Sequence, residues 1–166
     1  MHQGEPAICL EDSLGALQSH FNRYSETPRV LAFLSPSCTY SQQLFLVLGE
    51  ALMAHPDLDV HVLIVWQDEV PGDGESAGAL AALNLPDERV SYFHDGRRRA
   101  SLTLARGVLP AARASRTLLC YDPGSIWGDE LPVPSRVAHQ MGRIAPEQYC
   151  ETNQLASVLS DEWRKP

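Results

Sequence analysis

The chain of 166 residues carries 21 acidic and 13 basic residues, a formal net charge of −8. Its length suits one domain spanning 1–166 with an ordinary core, and a composition 44% hydrophobic and 20% charged excludes a disordered chain. The acidic balance argues against nucleic-acid binding, which needs a basic face, and no run of about 18 apolar residues offers a membrane span.

The first residues, Met1 to Pro6, lack a basic stretch followed by an apolar one. No secretory signal is read there, so a cytoplasmic location is expected, with no persistent structural disulfides. Residues 1–10 are expected to be loose. Leu14, Leu17, Phe21 and Tyr24 recur at helical spacing behind Asp12 and Ser13, either of which can cap the helix. Pro28 closes it. Residues 29–34 form an unbroken apolar run after Arg29, the mark of a strand covered on both faces. Ser35-Pro36-Ser37 turns the chain. From Thr39 to about His55 a second helix is read from Leu44, Leu48, Leu52 and Met53, stopped by Pro56.

Residues 60–66 are a second buried strand. Strand, helix and strand of these lengths make a right-handed βαβ unit with parallel strands. A loop with Pro71, Gly72 and Gly74 follows, then a short helix at 76–83, a brief strand at 90–93 and a helix at 101–107. Residues 116–121 read as a strand, Asp122-Pro-Gly-Ser125 as a tight turn, and 126–128 as the start of the returning strand of a hairpin. Pro132 and Pro134 interrupt the chain. Residues 146–163 read as the closing helix, with Leu155, Val158 and Leu159 inward. Arg97, Arg98 and Arg99 are the only basic cluster, read as a solvated loop or helix start. One lysine against twelve arginines suggests a GC-rich bacterial genome.

Four cysteines are widely spaced, at 9, 38, 120 and 150, with no zinc-knuckle pairing. Cys120 lies in an apolar strand and reads as a small buried filler, and Cys150 falls in the closing helix region. Cys38 differs from them because it sits where a buried strand gives way to a helix. A helix N-terminus presents unpaired N–H groups and the positive end of the helix dipole, which favours the thiolate and raises reactivity. Ser41 follows one turn later, giving Cys-x-x-Ser.

The element order and the position of Cys38 resemble the thioredoxin-like fold. Thr117-Leu-Leu-Cys-Tyr-Asp-Pro-Gly-Ser-Ile-Trp127 is similar to that family's antiparallel hairpin, and Asn153-Gln-Leu-Ala-Ser-Val-Leu159 to its last helix. Residues 65–128, with Pro132, Pro134 and His139-Gln-Met141, are also similar to a group of bacterial thioredoxin-like proteins. The resemblance implies an α/β fold: a central mixed sheet with a parallel βαβ half and an antiparallel hairpin, helices on both faces. It also locates three departures. The resolving cysteine is Ser41, the buried acid six residues before the first cysteine is Ala32, and the cis-proline position is Arg116.

A dithiol reductase needs its second thiol to release the mixed disulfide, so the expectation is one-thiol exchange. Cys38 would attack a mixed disulfide, and Ser41 would donate a hydrogen bond to its sulfur. Pro36, Ser37, Thr39, Tyr40 and Trp66 would line the substrate groove. The resolving thiol would come from a thiol-bearing partner protein or a small thiol such as glutathione; no resident cofactor is expected. A peroxiredoxin-like alternative places Arg116 beside the thiolate to bind peroxide, although the Pro-x-x-x-Thr-x-x-Cys signature is absent. A third reading keeps the fold as a non-catalytic binding module with Cys38 as a relic. Cys38, His94, Asp95 and His139 include metal-ligand types but no ligand spacing, so no metal site is expected. His61, alternating with strand residues, reads as a half-buried structural histidine.

Overall fold

The computed structural model describes residues 6–165. A six-stranded sheet holds the chain, in the order β1-β4-β3-β2-β5-β6. These strands are β1 (Ile8–Cys9), β2 (Arg29–Leu34), β3 (His61–Gln67), β4 (Val90–Asp95), β5 (Thr117–Tyr121) and β6 (Arg136–His139). β1, β4, β3 and β2 run parallel; β5 lies antiparallel to β2, and β6 antiparallel to β5. The expected mixed sheet, half parallel and half antiparallel, is therefore present.

The unbroken apolar run at 29–34 does what its pattern requires: all six residues are buried. Alternate side chains serve the two faces. Val30, Ala32 and Leu34 join Val62, Ile64 and Trp66 under α2 (Thr39–Ala54), α3 (Glu75–Ala82) and α5 (Thr152–Trp163). Leu31 and Phe33 join Leu63, Val65 and Phe93 under α1 (Gly15–Arg23) and α4 (Arg99–Gly107). The β2-α2-β3 unit is parallel, with Leu34 opposite Trp66.

Four expectations are corrected. The N-terminal segment is not loose where it is described: Ile8 and Cys9 pair with Phe93 and His94, and Leu10 is fully buried; residues 1–5 lie outside the described residues. α1 starts at Gly15 without a side-chain cap; Ser13 Oγ accepts only the Gly15 N–H, at 3.3 Å. Residues 126–128 are not a strand. Trp127 instead tucks under α1: its N–H donates to Asn22 Oδ1 at 2.8 Å, and its carbonyl accepts from Gln18 and Asn22. The indole meets Phe21 edge to face. The hairpin therefore returns only at β6, after a connection over 122–135. The closing helix is also shorter. Pro146–Gln148 is a separate 3₁₀ turn, and a capping box of Glu151 and Gln154 starts α5 at Thr152. Cys150 precedes that helix.

Among the described residues no helix is long and apolar enough to cross a membrane.

Candidate active site

Parallel strands end together. The carboxyl ends of β2, β3 and β4 share one edge of the sheet with the start of β5 and the end of β6, because Phe33 pairs with Thr117 and Thr117 with His139. This is the edge where α/β sheets carry ligand sites. Cys38 lies on it, four residues beyond β2.

Cys38 is the N-cap of α2, with extended backbone angles (φ −85°, ψ 124°). Its carbonyl accepts the first helical bond, from Gln42 N–H at 2.9 Å. The N–H groups of Thr39, Tyr40 and Ser41 therefore precede the first intrahelical bond. No acid occupies the first turn, so nothing there offsets the positive end of a 16-residue helix. The thiol is free and partly exposed, and among the described residues its sulfur makes no hydrogen bond. A negative charge developing on that sulfur meets a favourable field and an open approach.

The loop presenting it is pinned by Asp73, a residue the sequence reading missed. Its carboxylate accepts from Ser35 Oγ at 2.6 Å, Ser37 N–H at 2.9 Å, Glu69 N–H at 2.8 Å and Val70 N–H at 3.0 Å. One side chain thus ties the β2–α2 loop to the β3–α3 loop. Partial burial acts to raise its pKa, but these bonds prevail and hold it below the usual carboxylate range. The only local signal was an aspartate between two glycines, Gly72 and Gly74, both with positive φ.

The structure redistributes the expected roles. Ser41 is fully buried, and its Oγ accepts the Ser35 N–H at 3.0 Å instead of donating to the sulfur. It fastens the strand end to the helix. Arg116 adopts a left-handed conformation (φ 43°) and directs Nε and Nη2 to the Gln140 carbonyl, at 3.0 and 2.9 Å. Its guanidinium lies 5.8 Å from the centre of the Tyr40 ring. It borders the Cys38 helix start, and among the described residues it makes no hydrogen bond to the sulfur. All described peptide bonds are trans.

Of the expected lining residues, Tyr40 is 62% exposed and Thr39 is also exposed, while Ser37 is half-buried. Pro36 is buried, and Trp66 is 1% exposed, packed against Phe45 and Tyr92. Both are buried and offer no surface to a substrate. Glu69 was not anticipated either. It stands within the field of Arg116 and Arg98, and burial pushes its carboxyl pKa up; Oε2 is buried with no partner.

The other thiols are poorly placed to resolve a Cys38 intermediate. Cys120 pairs with Val30, towards the opposite end of β2, and burial pushes its pKa up to about 12. Cys150 lies nearer, its N–H on the His139 carbonyl, but it is buried and its pKa is likewise raised by burial. Cys9 is exposed on β1, at the far end of the strand order. The histidines are committed elsewhere: His94 Nε2 to Asp68 at 2.9 Å, and His139 to the Ala145 carbonyl and the Met141 N–H. Asp95 caps α4 through the Ala100 N–H. Among the described residues no three ligand-type side chains gather into a metal site.

A groove of about 460 Å³ lies between β6, the 3₁₀ turn and α5. Its lining includes none of residues 35–41.

No family model and no curated protein matches the chain. Solved structures do. A Sinorhizobium meliloti 1021 protein described only as hypothetical superposes with a TM-score of 0.56 at 11% identity, covering 87% of this chain and 74% of its own. The thioredoxin domain of a thiol-disulfide oxidoreductase from Bacteroides vulgatus superposes with a TM-score of 0.53 at 10% identity, covering 86% and 84%. The fold is thioredoxin-like. A Neisseria meningitidis protein solved in solution as a candidate thioredoxin gives 0.54 at 15% identity, covering 87% and 80%. Identities this low establish the thioredoxin-like architecture and leave the chemistry to the residues of this chain.

Proposed function

We propose that this thioredoxin-like protein carries out thiol–disulfide exchange through a single thiol, Cys38. One observation carries the reading: Cys38, partly exposed on the carboxyl edge of the sheet, is the thiol that caps a long helix with an acid-free first turn. The thiolate attacks a disulfide sulfur, a Cys38–S–S bond forms, and the displaced thiolate leaves with the electron pair. With Ser41 in the next turn and Cys120 and Cys150 buried, release of the mixed disulfide falls to an external thiol, from a partner protein or a small thiol such as glutathione.

Timed alkylation of the native protein, read by peptide mass, tests this. Cys38 should react fastest, ahead of the more exposed Cys9, with Cys120 and Cys150 silent until denaturant is added. Cys38→Ser should abolish thiol transfer without unfolding the domain. Ser41→Cys should raise the slow reduction of insulin disulfides. Unchanged transfer by Cys38→Ser would end the catalytic reading in favour of a binding module.

A further inference from the structure

Cys9 and His94 are register partners on the parallel strands β1 and β4, at the carboxyl end of β4. Ile8 and Phe93, one residue back, both join the cluster under α1 and α4. By alternation Cys9 and His94 turn to the other face, where Trp66 pairs with His94 from β3. Neighbouring strands lie about 4.8 Å apart, so the register sets the Cys9 side chain beside the imidazole. Cys9 is a free, exposed thiol, and His94 is 7% exposed. From the β3 side Asp68 Oδ1 accepts the His94 Nε2–H at 2.9 Å. Gly96 leaves room for that pair: a Cβ there would meet Asp68 Oδ2 at 3.3 Å and His94 Cε1 at 3.5 Å.

Asp68 selects the tautomer of the ring. A carboxylate only accepts, so Nε2 carries the proton and the neutral ring keeps its lone pair on Nδ1. Nδ1 is buried and, among the described residues, has no hydrogen-bond partner. A buried acceptor without a donor is costly. The register offers two donors. Trp66 Nε1–H is also unpartnered, but its indole lies parallel to the Tyr92 ring and against Phe45, turned back from the edge. The Cys9 S–H is the other, on an exposed side chain free to change rotamer. Charged groups on the adjoining segments are Glu11 and Asp12 after β1, Glu69 after β3, Glu75 at the start of α3, and Arg97 and Arg98 after β4. Among the described residues none of them pairs with the ring, and Asp95 turns to the opposite face, where it holds the Ala100 N–H.

We infer that Cys9, His94 and Asp68 form a second thiol-exchange site, whose co-reactant is a low-molecular-weight disulfide. Rotation of the Cys9 side chain about χ1 brings its S–H to Nδ1. His94 takes that proton as general base. The Cys9 thiolate attacks one sulfur of the disulfide, a Cys9–S–S bond forms, the original S–S bond breaks, and the other half departs as a thiolate with the electron pair. Asp68 is a positioning residue: it touches only the ring, keeps Nδ1 free to accept, and stabilises the imidazolium that results. Thiol, base and orienting carboxylate are the parts of an activated nucleophile. The thiol lies open on an edge strand, so a small disulfide needs no groove to reach it. The inference does not rest on exchange at Cys38.

Cys38 is expected to lead among the native thiols, so the test uses the full chain carrying Cys38→Ser, in which Cys120 and Cys150 are buried. The probe is 4,4′-dithiodipyridine, a small neutral disulfide. Release of thiopyridone gives the rate, and peptide mass assigns it to Cys9. At about pH 7 Cys9 should react at least about tenfold faster than in the same protein with His94→Phe added. At about pH 10, where an ordinary thiol ionises without a base, the two rates should converge. Asp68→Asn keeps the ring in place but removes the carboxylate that selects the tautomer; it should also slow Cys9 several-fold at neutral pH and recover at alkaline pH. Equal rates at neutral pH would overturn the inference, because His94 would then take no proton from the thiol. A loss that persists undiminished at alkaline pH would overturn it too, because the variants would then only be closing access to Cys9. Should His94→Phe not fold, Asp68→Asn decides by the same two readings.

Discussion

Arg29 is 1% exposed and, among the described residues, has no carboxylate partner. Its guanidinium is satisfied by four backbone carbonyls instead: Thr27, Phe21, Asp122 and Ser125, at 2.8–3.3 Å. It also lies 4.2 Å over the Phe21 ring. Burial draws its pKa below the usual value, but delocalised charge and five donors suit it to such a site better than lysine. It joins the end of α1, the start of β2 and the turn after β5, where the hairpin connection departs. Hydrogen bonds to a charged group contribute about 1.5–3 kcal/mol, and orphaned buried acceptors add to the loss. Arg29→Met, which keeps the stem, should cost about 3 kcal/mol. For a chain of this size that lowers Tm by roughly 6–12 °C, a shift that calorimetry reads directly. Arg29→Lys should recover only part of it. Nothing in the sequence marked Arg29 as buried, because its partners are carbonyls, which every residue carries. Cys38 is the opposite case: its place at a strand-to-helix junction was legible from neighbours alone.

β2 and α2 were read correctly because burial on both faces leaves an unbroken apolar run, and a long packed helix leaves a repeating one. β6 was misplaced because four residues with one exposed end carry almost no pattern, while Trp127 attracted the strand assignment and instead packs under α1. The Asp73 clamp was invisible for a related reason: Ser35 and Ser37 are 38 and 36 residues away. Pairing of β3 with β4 did bear out one reading, a structural His61, though it is buried and not half-buried as expected. The ring is 3% exposed, stacked on Tyr24 with centroids 3.5 Å apart, and its Nε2 meets Ser91 Oγ at 2.9 Å. Burial first, then the nearby His20 and Arg23, lower its pKa to about 4, against a smaller opposing effect of Asp87. The unfolded chain takes up this proton near 6.5, so between the two values it binds more protons than the folded chain. Stability from this site is complete above 6.5, falls as the pH drops toward 4, and levels off below. The shift corresponds to a loss of about 3 kcal/mol. His61→Phe keeps the stack and removes the titration. Urea unfolding from about pH 7 to pH 4 should show the native protein losing about 3 kcal/mol more than the variant; parallel curves would mean that the ring is protonated in the fold.

Two hydrophobic clusters flank the sheet, yet neither owns a strand. In β2, Val30, Ala32 and Leu34 serve one cluster while Leu31 and Phe33 serve the other, and β3 divides in the same way. A face cannot lose its helices without uncovering strands that the other face needs, because an uncovered strand leaves apolar surface in water at about 25 cal/mol per Å². The sheet therefore couples the layers, and the domain should unfold in one step. The tryptophans permit a direct check: Trp127 belongs to the α1/α4 face, Trp66 and Trp163 to the α2/α3/α5 face. In Trp127→Phe, emission reports only the second face while far-UV circular dichroism reports both. The two urea midpoints should coincide within that variant, whatever its stability relative to the native protein. A dichroism transition preceding the fluorescence change would show α1 and α4 leaving first. The uncovered strands would then be β2, β3 and β4, and the Cys38 loop follows the carboxyl end of β2, so stability at the working edge would depend on the layer on the other side of the sheet from α2.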